Sequence, residues 1–289
     1  MRSQQQMFDL ILSTARQDKR VRAVILNGSR ANPDAPPDPF QDYDIVYLVT
    51  DVASFKADPG WIERFGERVI LQTPDDMGDE PAGVDESYAY LVLLANGNRI
   101  DLTLFPLAKL HELPKDSLSL LLLDKDGVIP PFPPPDESDY FPTPPTRNQY
   151  ADCCNEFWWV CPYVAKGLWR EELPYARHML DTIVRQQLMN MLAWHIGVRT
   201  RFARNPGLYG KYFQRYLEPE LWELLLMTYA GADYEQIWGA LFAMCCLFRT
   251  AAISVAGYFD FEYPHGDDER VSAYLQRVRS LPKDAQDLR

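Results

Sequence analysis

Val21-Arg-Ala-Val-Ile-Leu-Asn-Gly-Ser-Arg30 and, after a Pro-rich loop, Phe40-Gln-Asp-Tyr-Asp-Ile-Val-Tyr-Leu-Val49 are the two segments whose order decides how this chain reads. The apolar runs Val21–Leu26 and Ile45–Val49 predict strands bounded by turn residues. Gly28 and Ser29 close the first strand, where glycine permits a tight turn and bare amides, with a serine hydroxyl beside them, suit an anion. Asp42 and Asp44 open the second strand, and the two-residue period of a strand puts both carboxylates on one face. Paired carboxylates beside such a turn suit divalent metals in phosphoryl and nucleotidyl transfer.

Outward from this centre, the N-terminal side is a helix over Gln5–Arg16, with an apolar face of Met7, Phe8, Leu10, Ile11, Leu12 and Ala15. On the other side, Trp61–Phe65 reads as a short helix and Arg68–Gln72 as a short strand. Thr73–Ser87 is acidic and rich in turn formers, so it reads as an exposed loop. Tyr88–Leu94 and Arg99–Phe105 flank Asn96-Gly97-Asn98, a strong hairpin signal. That hairpin carries Asp101, which shares a face with Thr103 while Ile100, Leu102 and Leu104 point the other way. Burying an unpaired carboxylate is costly, so Asp101 sits either at a solvated edge or with Asp42 and Asp44 around cations. Lys115–Asp126 reads as a helix followed by a turn.

Residues 130–145 hold eight of the 23 prolines, and proline removes backbone donors and disfavours helix. The expected division is therefore residues 1–130, an extended connector over 131–145, and residues 146–289. The last part has helical periodicity throughout: Thr146–Gly167 with Pro162 kinking or splitting it, Leu173–Phe202, Glu218–Tyr229, Asp233–Tyr258 capped by Asp233, and Asp268–Arg279. The fold class expected is α+β, a mixed-sheet domain followed by a helical bundle.

Length and composition admit two domains with sizeable cores, and 47% apolar with 24% charged residues fits a globular chain. The N-terminus has no apolar signal core, and the uninterrupted apolar runs are too short to span a bilayer, so neither secretion nor a membrane partner is expected. Five cysteines without a C-x-x-C pattern fit a reducing, cytoplasmic setting. The formal net charge of −12 repels nucleic acid and favours a cationic partner. The four histidines show no zinc spacing, and no nucleophile elbow, Walker loop or dinucleotide fingerprint occurs.

In the helical part, Trp158 and Trp159 are adjacent and point about 100° apart, so one of them would line a cleft with neighbouring acids such as Glu156 for cation binding. Lys211, just beyond a helix break at Gly207, is placed either to meet a triphosphate or simply to face solvent.

The order strand, Gly-Ser turn, loop, Asp-Tyr-Asp strand resembles the signature of the nucleotidyltransferase superfamily that includes polymerase beta. Together with Gly97-Asn-Arg-Ile-Asp-Leu-Thr-Leu104, Leu121–Asp126, Asp152-Cys-Cys-Asn-Glu-Phe-Trp-Trp159, Lys166–Leu173 and Trp194-His-Ile-Gly197, it is similar to the aminoglycoside 6-adenylyltransferases, which modify streptomycin. The resemblance spans nearly the whole chain and departs mainly in Asn32–Pro39, Thr73–Ser87 and Pro130–Pro145. It implies a nucleotidyltransferase domain carrying MgATP, a helical domain closing over it, and AMP transfer to a streptomycin hydroxyl. In that reading Asp42 and Asp44 hold magnesium, and Asp101 is either a third ligand or, preferably, the base that takes the hydroxyl proton. Gly28, Ser29, Arg30 and Lys211 bind the triphosphate, while Glu156, Trp158 and Asp181 are candidates for the guanidinium groups of the antibiotic. The alternatives are transfer to a spectinomycin-type or lincosamide substrate, or a silent nucleotide-binding module.

Overall fold

A computed structural model describes residues 2–78 and 86–287, so part of the Thr73–Ser87 loop lies outside the described residues. The chain divides into two compact units, Met1–Asp139 and Tyr140–Arg289, with the division inside the Pro-rich stretch.

The first unit is built on one mixed sheet. Its strands are β1 (Val21–Asn27), β2 (Tyr43–Val49), β3 (Arg68–Gln72), β4 (Tyr88–Leu94), β5 (Arg99–Pro106) and β6 (Ser119–Asp124). Their order is β3-β4-β5-β2-β1-β6, with β2 and β5 parallel and every other pair antiparallel. Helix α1 (Gln4–Gln17) begins at a capping box in which Ser3 and Gln6 satisfy each other's amides. A short α2 (Ala53–Lys56) and a 3-10 turn over Trp61–Phe65 follow β2.

The sheet has two apolar faces, and alternation along the central strands assigns residues to each. Val24, Leu26, Ile45, Tyr47, Val49, Ile100, Leu102 and Leu104 share a core with Met7, Ile11 and Ala15 of α1 and with Phe55, Trp61 and Phe65. Ala23, Ile25, Val46 and Leu48 face the other way, against Phe105, Leu121 and Ile129. Each fully buried Val, Leu, Ile, Met or Phe among them stabilises by roughly 1.5–3 kcal/mol relative to exposure. Asp44 and Asp101 follow the parity of the second set, so the acidic residues lie on the face opposite α1.

One expected element differs. The Lys115–Asp126 segment holds no helix; it contributes β6, paired antiparallel to β1. Its leucine run favours helix by propensity, but Leu121 packs in one apolar layer of the sheet and Leu120, Leu122 and Leu123 in the other. Packing on both faces outweighs the weak intrinsic preference.

The second unit contains α3 (Arg147–Trp169), α4 (Leu173–His178), α5 (Arg185–Thr200), α6 (Phe213–Tyr216), α7 (Pro219–Met227), α8 (Tyr234–Phe259) and α9 (His265–Ser280). Thr146 and Gln149 form a second capping box at the start of α3, which runs through Pro162 without splitting. A π-helical turn, Met179–Val184, joins α4 to α5. Asp233 caps α8 by accepting from the Gln236 amide at 2.9 Å. Phe157 and Phe248 stack at 3.8 Å in the centre of this core. Among the described residues α8 is long and apolar enough to cross a membrane, with a mean hydropathy of 1.7, and 61% of that window is buried inside its own unit. All five cysteines are free thiols, and only Cys246 is exposed.

Candidate active site

The register of the sheet lines up one row of polar side chains at the end of β1. Asn27 pairs with Asp44 and with Ser119, and Asp44 pairs with Asp101, so Ser119, Asn27, Asp44 and Asp101 cross four adjacent strands on one face. Asp42 precedes β2 and shares the parity of Asp44. The Ser119 hydroxyl donates to Asn27 Oδ1 at 2.8 Å, which holds the neutral end of the row. Asn27 was not among the residues singled out from sequence; its only signal there is a polar side chain between Leu26 and Gly28.

The chain turns sharply after this row. Gly28 has φ +71°, and a Cβ on it would overlap Asp44 Oδ2. Only glycine lets the turn press against the carboxylate. The Gly28 N–H, expected to face a phosphate, instead donates to Leu118 O at 3.0 Å. This bond ties the turn to the chain entering β6. The single i→i+3 bond of the turn runs from Ala31 N–H to Gly28 O, so the amides of Ser29 and Arg30 are the donors it leaves for an anion.

Arg30 also differs from expectation. Its guanidinium donates to Asp42 O at 3.0 Å and to Gln41 O at 2.8 Å, and it stacks over the Tyr43 ring at 3.8 Å. It fixes the backbone that presents Asp42.

Burial, followed by the nearby Asp101 and Asp42 carboxylates, raises the Asp44 carboxyl to about 6, with Arg99 partly opposing. Burial likewise raises Asp42, and Arg99 opposes it. The Arg99 guanidinium grips both oxygens of Asp101, at 2.8 and 2.7 Å, and lies 3.6 Å from Asp42. Arg99 is a site residue that the sequence reading passed over, although it alternates with Asp101 on the same strand face.

Three carboxylates crowded on one partly buried face are hard oxygen donors short of positive charge, which suits a magnesium-like cation. Among the described residues no group of three His, Cys, Asp or Glu side chains is placed to hold a metal ion, and both Asp101 oxygens accept from Arg99. Asp42 and Asp44 therefore fit such a cation directly, and Asp101 fits it only when Arg99 releases an oxygen.

The remaining expected site residues belong to the second unit. Lys211 is exposed, with its ammonium 5.0 Å from the Tyr212 ring. Glu156 is exposed and makes no ion pair among the described residues. Asp181 is bracketed by Arg177 at 2.7 Å and Arg185 at 3.2 Å, so it offers no unneutralised carboxylate. Trp158 is 2% exposed, packed edge-on to Phe157 and Phe248, and cannot reach a ligand. Its neighbour Trp159 is 63% exposed. Adjacent helical residues diverge by about 100°, and the core side took Trp158. Asp152, Glu156 and Trp159 are all exposed and, spaced four and three apart, form one stripe on α3.

The sequence profile of the streptomycin adenylyltransferase family matches residues 1–278. This chain belongs to that family. An aminoglycoside 6-adenylyltransferase of Campylobacter jejuni is 43% identical over 280 residues, covering 96% of each chain. One from Bacillus subtilis (strain 168) is 41% identical, covering 96% of this chain and 98% of the relative. A crystal structure of an aminoglycoside 6-adenyltransferase from Bacillus subtilis shares 37% identity, covering 97% of this chain and 100% of that one, with a TM-score of 0.48. The chain is a nucleotidyltransferase.

Proposed function

We propose that this chain transfers AMP from MgATP to the 6-hydroxyl of streptomycin and releases pyrophosphate. The observation that carries the reading is the Asp42–Asp44–Asp101 row beside the Gly28-Ser29 turn, in a chain of this family. Asp42 and Asp44 would hold magnesium, which when bound neutralises the triphosphate and the charge gathering on the departing pyrophosphate. The Ser29 hydroxyl and the Ser29 and Arg30 amides would take the phosphate oxygens, with Lys211 as a further cation. Arg30 keeps Asp42 in place.

The antibiotic hydroxyl oxygen forms a bond to the α-phosphorus as the bond from that phosphorus to the bridging oxygen of pyrophosphate breaks. Asp101 accepts the hydroxyl proton once Arg99 frees one of its oxygens. The exposed Asp152, Glu156 and Trp159 stripe supports recognition of a guanidinium-bearing substrate through charge and cation–π contacts.

Pyrophosphate release measured with ATP, magnesium and, separately, streptomycin, spectinomycin and a lincosamide tests the proposal. Streptomycin-dependent release, with an adenylylated product whose modified carbon is located by NMR, is the expected result. Release only with another antibiotic, or none at all, sinks it.

A further inference from the structure

Residues 182–217 contain no aspartate or glutamate, although 41 acids spread over 289 residues would place about five there. The same stretch carries Arg185, Arg199, Arg201, Arg204, Lys211 and Arg215. In a chain of net charge −12 this is a local reversal of sign. Several of these cations have partners. Arg185 donates to Thr228 and pairs with Asp181, Arg199 pairs with Glu218, and Arg215 stacks on Tyr212 at 4.1 Å. Arg201 and Arg204 have no partner among the described residues.

These two arginines line a concave pocket of about 410 Å³, together with Arg199, Thr200, Ala203 and Tyr216. That volume lies in the lower part of the roughly 300–1,000 Å³ range of small-molecule sites. Glu218 pairs with Arg199, and its other oxygen lies 3.1 Å from His195 Nε2. The pocket therefore keeps an uncompensated excess of guanidinium.

The backbone at the pocket is held in an uncommon shape. Arg201 and Phe202 are consecutive non-glycine residues in the left-handed region, each with φ 55°. L-residues pay for that conformation, so the surroundings must impose it. Here the Phe202 amide donates to Gly197 O at 2.7 Å, and its ring lies where any Cβ on Gly197 would collide. The Trp194-His-Ile-Gly197 motif thus ends α5 in a fixed turn that carries Arg201.

We infer that this pocket is a binding site for a polyphosphate anion, a diphosphate or triphosphate group spanning Arg201 and Arg204. Two planar guanidinium forks and a phenol from Tyr216 match several phosphate oxygens better than a single carboxylate, while the Thr200 hydroxyl donates to Ile196 O at 2.8 Å and only lines the wall. The site would serve the co-substrate's triphosphate or the released pyrophosphate, and only that choice of source rests on the adenylyl-transfer reading.

Calorimetry of the full chain with inorganic pyrophosphate, orthophosphate and metal-free ATP, at fixed ionic strength, tests it. Arg201→Gln/Arg204→Gln weakens pyrophosphate binding by about tenfold or more, the scale of losing charge-assisted hydrogen bonds. Arg204→Gln alone leaves the left-handed pair untouched and weakens binding in the same direction, with an unchanged melting temperature. Parallel weakening for ATP marks the nucleotide's own triphosphate as the ligand, and weakening for pyrophosphate alone marks the product; either supports the site. Wild-type affinity in both variants, or orthophosphate binding as tightly as pyrophosphate, overturns it. Antibiotic turnover is not the readout, so failure of the transfer reaction would leave this result standing.

Discussion

The α-carbon of Gly28 lies against the carboxylate of Asp44, so closely that a methyl group at Gly28 would overlap Asp44 Oδ2. The phosphate-type turn and the first acidic strand are therefore one unit, set in register by Asn27 opposite Asp44. Gly28→Ala must both strain a positive φ and push the carboxylate aside. We expect turnover to fall by about a hundredfold, the scale of a misplacement near 1 Å. A melting temperature lowered by only a few degrees would accompany it, and near-normal turnover would show that the contact is not part of the chemistry.

Asp42→Asn and Asp44→Asn each abolish adenylyl transfer while the fold persists. Asp44→Asn also removes a partly buried charge that faces Asp42 and Asp101, so without metal it raises the melting temperature. Magnesium-dependent turnover near the wild-type rate in either variant would overturn the metal assignment.

Asp101→Asn separates a base from a ligand. Loss of a general base costs about 10²–10⁴-fold in rate and leaves nucleotide binding intact. We expect MgATP and streptomycin affinities close to wild type and turnover at least about a hundredfold slower. Rescue by excess magnesium or by manganese would move Asp101 to the metal shell.

Asp18 gives a pH-dependent test away from the site. Its carboxylate accepts from Arg20 and from Trp61 Nε1 at 3.0 Å, and these bonds, led by Arg20, lower its carboxyl to about 2. A carboxyl depressed in the folded state stabilises above its unfolded value near 4, and that stabilisation disappears as pH falls through about 2. Asp18→Asn should thus cost about 2 kcal/mol at pH 7 and progressively less below pH 4. Urea titrations of both proteins at pH 7, 4 and 2.5 would reveal a pH-independent gap if the assignment were wrong.

The two adjacent tryptophans predict opposite phenotypes. Trp158→Ala opens a cavity beside Phe157 and Phe248 and should destabilise by about 3–5 kcal/mol. Trp159→Ala should change stability by less than about 0.5 kcal/mol and weaken streptomycin binding. Equal stability losses from the two would contradict the packing, and unchanged antibiotic affinity in Trp159→Ala would remove that indole from the recognition stripe.

Much of this protein follows from local pattern. Alternation placed Ile100, Leu102 and Leu104 opposite Asp101, and the observed cores keep them there, because a strand's side-chain period is set by its own backbone. The Asn96-Gly97-Asn98 turn and the Asp233 cap were equally legible, since turns and caps are closed within a few residues. The family, too, is written in motifs distributed over nearly the whole length.

What the sequence did not determine was decided by partners distant along the chain. The Leu120–Leu123 run became a strand because it had β1 to pair with and apolar neighbours on both faces. Gly28's amide went to Leu118, and Arg30's guanidinium to the backbone at Asp42, choices made by whichever acceptor the fold brought within reach. Trp158 rather than Trp159 entered the core because helix packing set the rotation of α3. Composition and periodicity specify which groups must be satisfied or buried; only tertiary packing specifies by whom, since each buried donor, charge or ring takes the nearest partner that three-dimensional closure supplies.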